Sequence, residues 1–225
     1  MYMYMMSNLF SIFDPSTNNF MSLNWLVMII PLLLFNWSYW LYPSRLNMFW
    51  FLMFNKIFQE FNKLSKKKFN SNIIIFLTIM MLFMILNLLS LMPYIFTPSS
   101  HMSINLSLSL SLWISFMLYG WMMNTNKMFI HLLPMNTPGL LMIFMIMIET
   151  ISNFIRPWTL AIRLSANMLA GHLLLSLLGS TLESMPYMIL LFLIQNLLLI
   201  LEISVSIIQA YVFAILTLLY FNESN

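Results

Sequence analysis

Arg163 stands in the middle of an apolar run, where a permanent charge is expensive. From Leu140 to Leu178 the chain is almost wholly hydrophobic, yet Asn167, Ala170, Gly171 and His172 closely follow that arginine. A charge at the centre of a membrane helix costs about 2.5–3.5 kcal/mol on insertion scales. Arginine cannot discard its proton to escape the cost. It is therefore expected to act through its fixed charge, and it cannot itself relay protons.

Helical phase groups the other polar residues around it. Glu149, Arg156, Arg163 and Ala170 recur every seven residues and form one stripe, with Ala166 and Asn167 flanking Arg163. In the next apolar run Gln195, Glu202 and Gln209 recur at the same interval, with Ser206 one turn past Glu202. An antiparallel pairing about Pro186 sets Arg163 level with Gln209 and His172 near level with Glu202. His172 lies about 13 Å beyond Arg163 along the axis and points to nearly the opposite side. Glu149 lies about 21 Å in the other direction. Titratable groups thus occur on both sides of the arginine, toward opposite membrane faces. A proton route through them would be two half-paths separated by a fixed positive charge.

Small residues cluster in the same place. Ala161, Ala166, Ala170, Ala210 and Ala214 are the chain's alanines, and all fall in these two runs beside Gly171. Small side chains let helix backbones approach closely in lipid, so the cluster marks a tight contact surface. Structural readings compete with functional ones at each polar position. Glu149 and Glu202 could be snorkelling or satisfied core carboxylates, and His172 a structural hydrogen-bonding residue. Arg156, nearer the helix start and beside Pro157, could snorkel too. His101 and His131 sit at loop edges and read as interfacial.

The elements that must hold these residues follow from composition. Of 225 residues 61% are hydrophobic and 7% charged, against roughly 25% charged in soluble domains. The chain reads as one all-α polytopic membrane domain over residues 1–225. A span needs about 20 mainly apolar residues, and five stretches qualify: 22–42, 72–92, 104–123, 140–178 and 186–221. The last two are too long for vertical spans and read as long tilted helices forming a hairpin. Pro157 kinks or tilts the first of them without a polar loop. Residues 47–69 mix aromatics with Lys56, Glu60 and Lys63 and read as an amphipathic helix in the interface. Ser107, Ser109 and Ser111 alternate with leucines, but an open strand cannot satisfy its backbone in lipid, so a helix is expected.

Lys56, Lys63, Lys66, Lys67 and Lys68 lie between the first two spans. Loops on the matrix or cytoplasmic side collect Lys and Arg, which turns the N-terminus to the opposite side. Alternation returns Lys127 and the C-terminus to the basic side and puts the turn with Glu183 outside. The net charge of +3 adds little to that pattern. No secretory signal or Arg-rich presequence opens the sequence. Abundant Met and Phe with scarce Ala fit an AT-rich gene read with a mitochondrial code. Absence of cysteine excludes disulfides and thiolate metal sites. No two histidines share ligand spacing, and there is no nucleotide loop or nucleophile elbow. No cofactor, metal or nucleic-acid partner is expected. No internal repeat supports an inverted-repeat transporter.

The segment RPWTLAIRLSANMLAGHLL, Arg156 to Leu174, closely resembles the signature of subunit a of F-type ATP synthases in its mitochondrial form. Glu149 upstream, and ILEISVSIIQAYVF around Glu202 downstream, fit the same family, as does the plan of the whole chain. The resemblance implies a stator subunit of the membrane sector, packed against a rotating ring of c subunits and other membrane-sector subunits in the mitochondrial inner membrane. The chain itself would bind no nucleotide. Arg163 matches the arginine that faces the ring carboxylates, and Ala166, Ala170 and Ala210 would face the ring beside it. His172 and Glu202 match a pair lining the half-channel toward the intermembrane space. Glu149 matches an acid of the matrix-side half-channel, while Asn167 and Gln209 match polar neighbours of the arginine. In bacterial relatives the His and Glu types at the positions of His172 and Glu202 are exchanged.

Two other classes bury charge in membranes. A subunit of a respiratory proton pump would carry Lys–Glu chains along broken helices, whereas the final runs here hold no lysine. A non-transporting assembly protein would not need polar seams on two helices.

Overall fold

Apolar runs of this length fold as helices because a helix satisfies every backbone group within its own segment. A computed structural model of the chain describes residues 9–17, 21–34, 41–65, 72–92, 95–132, 138–182 and 188–224. They form an all-α polytopic membrane protein, with four helices among the described residues long and apolar enough to cross a bilayer. Lys66, Lys67, Lys68, Glu183 and Pro186 lie outside the described residues.

The element order is α1 (Ile30–Leu34), α2 (Arg45–Leu64), α3 (Ile73–Ser90), α4 (Met102–Met123), α5 (Thr125–Leu132), α6 (Gly139–Leu182) and α7 (Met188–Ser224). Helices α3, α4, α6 and α7 coincide with the four later apolar stretches. The first expected span is described only in part. A 3-10 segment, Leu23–Ile29, runs into α1, and together they are too short to cross a bilayer; residues 35–40 lie outside the described residues. Helix α5 lies between the expected spans 104–123 and 140–178, in a segment for which the sequence reading gave no element.

The termini of α2 show the local logic. Ser44 caps it by accepting from the Asn47 backbone N–H at 3.4 Å. Its Ile57–Phe58–Phe61 stripe packs on α3 and α7, and Phe61 is wholly buried. Phe49, Phe51 and Leu52 point away from the bundle. In α4 the serines return their hydroxyls to their own helix: Ser107 donates to the Ile104 carbonyl at 2.8 Å, Ser111 to Leu108 at 3.0 Å and Ser115 to Leu112 at 2.6 Å. Those bonds let alternating serines sit in an apolar helix without unmet donors.

Helix α6 has 44 residues and α7 has 37, about 66 and 55 Å at 1.5 Å rise per residue. The hydrocarbon core is about 30 Å thick. Both helices must therefore lie strongly oblique to the membrane or extend beyond it. Pro157 is inside α6 and fully buried, and the helix continues through it. The missing N–H leaves the Asn153 carbonyl without its helical donor there.

The core is the contact of α3 and α6 with α7. One cluster joins Phe61, Ile73, Phe76 and Met80 to Ala214, Leu218 and Phe221. Another joins Phe83 to Leu160, Leu164, Ala210 and Phe213, with the Phe83 and Phe213 rings 4.8 Å apart. Ala210 and Ala214 add no bulk at that contact, so the α3 phenylalanines can reach α7. Ala210 is therefore a packing residue inside the chain. The expectation that it faces outward with Ala166 and Ala170 does not hold, because large α3 and α6 side chains cover it completely.

Candidate functional site

The α6–α7 register is set by a glycine. A Cβ on Gly171 would lie 3.0 Å from the Glu202 carboxyl carbon Cδ and 3.1 Å from its Oε1. With no side chain at Gly171, the α6 backbone closes on that carboxyl group without displacing it. Gly171 opposite Glu202 puts Arg163 level with Ala210, one residue from the Gln209 suggested by the sequence.

Around this contact the helices enclose a cavity of about 20 Å³. Asn167 and His172 reach it from α6, and Glu202, Ser206 and Gln209 from α7. The fold also brings in Asn87 from α3, which sequence reading missed. The signal was present as an amide in the last turn of a largely apolar span. Glu202 is buried, and neither of its carboxyl oxygens has a hydrogen-bond partner among the described residues. The same holds for His172 Nε2 and for both amide atoms of Asn87. Burying polar atoms unpaired costs on the order of 1–3 kcal/mol each, so the cluster is far too polar to be a core contact. A cavity of 10–15 Å³ already holds a water if it offers polar partners. This one offers several.

The N-terminal segment packs against α6 at His172. The Phe13 ring meets His172 edge-on at 6.3 Å. His101 Nε2 lies 3.1 Å from the Phe13 carbonyl, and the His101 ring packs against Trp25 and Phe96. The loop-edge histidine is thus a structural tie.

Glu149 does not join this group. It lies two helical turns before Arg156, whose Nη2 approaches Glu149 Oε1 at 3.5 Å while Nη1 donates to Glu223 Oε2 at 2.6 Å. The Arg156 guanidinium also sits 5.3 Å from the centre of the Tyr220 ring. These groups line a second, open cavity of about 420 Å³, walled by Trp113, Phe116 and Trp121. Glu223 was missed in the sequence. It lies three heptads past Glu202, so it continues the polar seam of α7.

Arg163 belongs to neither cavity. It is exposed on the outward face of α6, and Ala166 and Ala170 are exposed on the same stripe. Among the described residues both ion pairs of the chain belong to Arg156, and Arg163 makes none. Ile155, Ile162 and Leu174 continue that face, each about half exposed. The cation therefore projects from an apolar, small-residue surface, with one polar cavity toward each end of the helix.

Such an architecture is that of a multi-pass membrane protein with polar groups held between its helices. The family described as "ATP synthase A chain" matches residues 20–222. ATP synthase subunit a of Locusta migratoria is 54% identical over 223 residues, covering 97% of this chain and 99% of that protein. The proteins of the same name from Drosophila yakuba and Apis mellifera ligustica are 51% and 49% identical. Those alignments cover 98% and 100% of this chain and the full length of both relatives. The chain belongs to the ATP synthase subunit a family, the proton-translocating subunit of that enzyme's membrane sector.

Proposed function

We propose that this chain carries protons to and from a rotating ring of c subunits through two offset half-channels. Glu202 and His172, with Asn167 and Gln209, form the half-channel toward the intermembrane space. Glu149 belongs to the half-channel toward the matrix. Arg163 stands between them as counter-ion to a deprotonated ring carboxylate and as barrier to direct leakage. The membrane is the mitochondrial inner membrane, with the N-terminus toward the intermembrane space and the C-terminus toward the matrix. The other partners are stator and membrane-sector subunits of the same enzyme and the surrounding lipid.

One observation carries the reading: Arg163 is exposed between Ala166 and Ala170 and makes no ion pair within the described residues. An unpaired cation at that depth calls for an anion from outside the chain, and the two alanines let a neighbouring helix approach it. A protonated ring carboxyl is neutral and tolerates lipid, whereas an ionised one needs Arg163. A fixed positive charge also repels a proton, so transfer between the cavities must go by way of the ring. Each proton crossing 100 mV releases about 2.3 kcal/mol, so several must pass for one ATP.

The test is Arg163→Ala in the assembled enzyme. ATP synthesis driven by a proton gradient, and proton pumping driven by ATP, should both be lost. Coupled transport at the normal rate would refute the assignment. Glu202→Gln should slow transport and displace its pH profile, and an unchanged profile would remove Glu202 from the path.

A further inference from the structure

Helix α2 holds cations that the proposed function does not use. They are Arg45, Lys56 and Lys63, set against one acid, Glu60. Their spacings of eleven and seven residues are close to whole numbers of turns, so the three lie within about 20° of one line along the helix. All three are exposed, and none forms an ion pair among the described residues. Glu60 is spaced to meet Lys56 at i+4 and Lys63 at i+3. Its Oε2 instead accepts from the Tyr211 hydroxyl of α7 at 3.2 Å. The acid is held by the bundle, and the cations are left without a counter-charge.

The cation line faces away from the protein. Ile57 and Phe61, which pack on α3 and α7, point about 120–160° around the helix from it. The same packing fixes the depth of α2. Phe61 shares a cluster with Ile73, the first residue of α3, and with Phe221, close to the end of α7. The Leu64 carbonyl also accepts from Asn222 Nδ2 at 3.0 Å. Helix α2 therefore lies where one candidate span begins and another finishes, at the depth of the lipid headgroups. Phe49 and Leu52 stand beside the cation line, between Arg45 and Lys56, and are 58% and 54% exposed. A face turned to water needs no bulky apolar side chains between its cations. That mixture fits the boundary of headgroups and acyl chains, where apolar bodies enter the chains and Lys and Arg extend to phosphate.

We propose that the outward face of α2 is a binding surface for anionic phospholipid. Headgroup phosphates lie along Arg45, Lys56 and Lys63, while Phe49 and Leu52 enter the acyl chains. The line is about 27 Å long, so the surface gathers several lipids of one charge class. It stands apart from the half-channels, since none of these residues lines either cavity.

The test uses the assembled enzyme in nanodiscs of phosphatidylcholine. A trace of photoactivatable phosphatidylglycerol is added, or of photoactivatable phosphatidylcholine with the same acyl chains. Label attached to residues 45–64 is read by peptide mass spectrometry. The anionic probe should label this segment at least about fivefold more than the choline probe, since one cation near an anionic surface is worth about that factor. The excess should shrink at high salt, which screens exposed charge. Arg45→Gln/Lys56→Gln/Lys63→Gln should abolish it, and Lys56→Arg/Lys63→Arg should keep it. If the triple variant does not assemble, Lys56→Gln alone takes its place, with a fall of about fivefold expected. Equal labelling by the two probes overturns the proposal, and so does an excess that survives the loss of the cations. Protection from both probes, with cross-linking of Lys56 to an acidic neighbouring subunit, would assign the face to a protein and overturn it as well.

Discussion

Gly171 allows the sharpest test of the Glu202 site, because its substitution separates packing from transport. In Gly171→Ala the new methyl would stand 3.0 Å from Glu202 Cδ, 3.1 Å from Oε1 and 3.4 Å from Cγ. Ordinary contacts begin about 0.4 Å farther out, so the carboxyl group must retreat by that amount. The atoms met are the far end of a flexible side chain, which can yield. Forcing Glu202 off its rotamer costs about 0.5–1.5 kcal/mol. Replacing glycine by alanine inside a helix returns about 0.8–1.0 kcal/mol. The two nearly cancel, so stability should change by less than about 1 kcal/mol.

Transport should not cancel. A misplacement of 1 Å at a reacting group costs about a hundredfold, and 0.4 Å on the same logarithmic scale costs about sixfold. The methyl also intrudes on a cavity that has room for about one water. The assay is ATP-driven proton pumping by the reconstituted enzyme, read beside assembled content and melting midpoint. Gly179→Ala is the control, since nothing lies within 4 Å of a Cβ there. It should match the parent in transport and gain slightly in stability. Normal pumping in Gly171→Ala would refute the argument that Glu202's position matters. A loss of pumping that tracked loss of assembly would refute the claim that packing and transport separate.

Other expectations follow from the same geometry. Cysteines at positions 166 and 170 should cross-link to the c ring, and one at 210 should not, since Ala210 is buried against Phe83 and Leu164. Ala210→Leu should destabilise the chain by about 1–3 kcal/mol through overpacking, read as reduced assembly. Arg156→Gln should shift the melting midpoint little, because its partners Glu149 and Glu223 are 39% and 53% exposed and such pairs contribute about 0–1 kcal/mol. Asn105→Leu removes the 2.8 Å bond from Nδ2 to the Ser99 carbonyl. Leaving that buried carbonyl unpaired should cost about 1–3 kcal/mol in a melting assay.

Periodicity exposed the long helices and their register because the information is local. Seven-residue spacing put Glu202 and Gln209 on one seam, and a hairpin then fixed which α6 residues they meet. Asn87 and Ala210 escaped for a different reason. Which face of α7 receives α3 depends on packing between helices more than 100 residues apart in sequence, and α3 is so uniformly apolar that no phase marks its inner side. Lacking that contact, an alanine near an arginine reads as part of the arginine's surface. Helix α5 was hidden because its eight residues are too few to display a period. Glu223 was visible in principle, two heptads past Gln209 on the α7 seam, with Leu216 between them.

The position of Arg163 makes the chain energetically incomplete by itself. Among the described residues, the two carboxylates paired with an α6 cation, Glu149 and Glu223, are both held by Arg156. Helix α6 presents Arg163 outward, and Glu202 lies opposite Gly171, eight residues or about 12 Å farther along the helix. The arrangement leaves Glu202 free to change protonation, and it leaves the arginine with a cost of about 2.5–3.5 kcal/mol that only an external anion can offset. On the proposed reading that anion is a ring carboxylate. The offset is then available only while the carboxylate is ionised, and it is lost on protonation. The binding energy of the arginine thereby depends on whether the ring site has delivered its proton. A permanent internal partner for Arg163 would abolish that dependence. An acidic residue placed beside it by Ala166→Asp should therefore arrest coupled transport even in enzyme that assembles fully, and transport at the parent rate in that variant would refute this account.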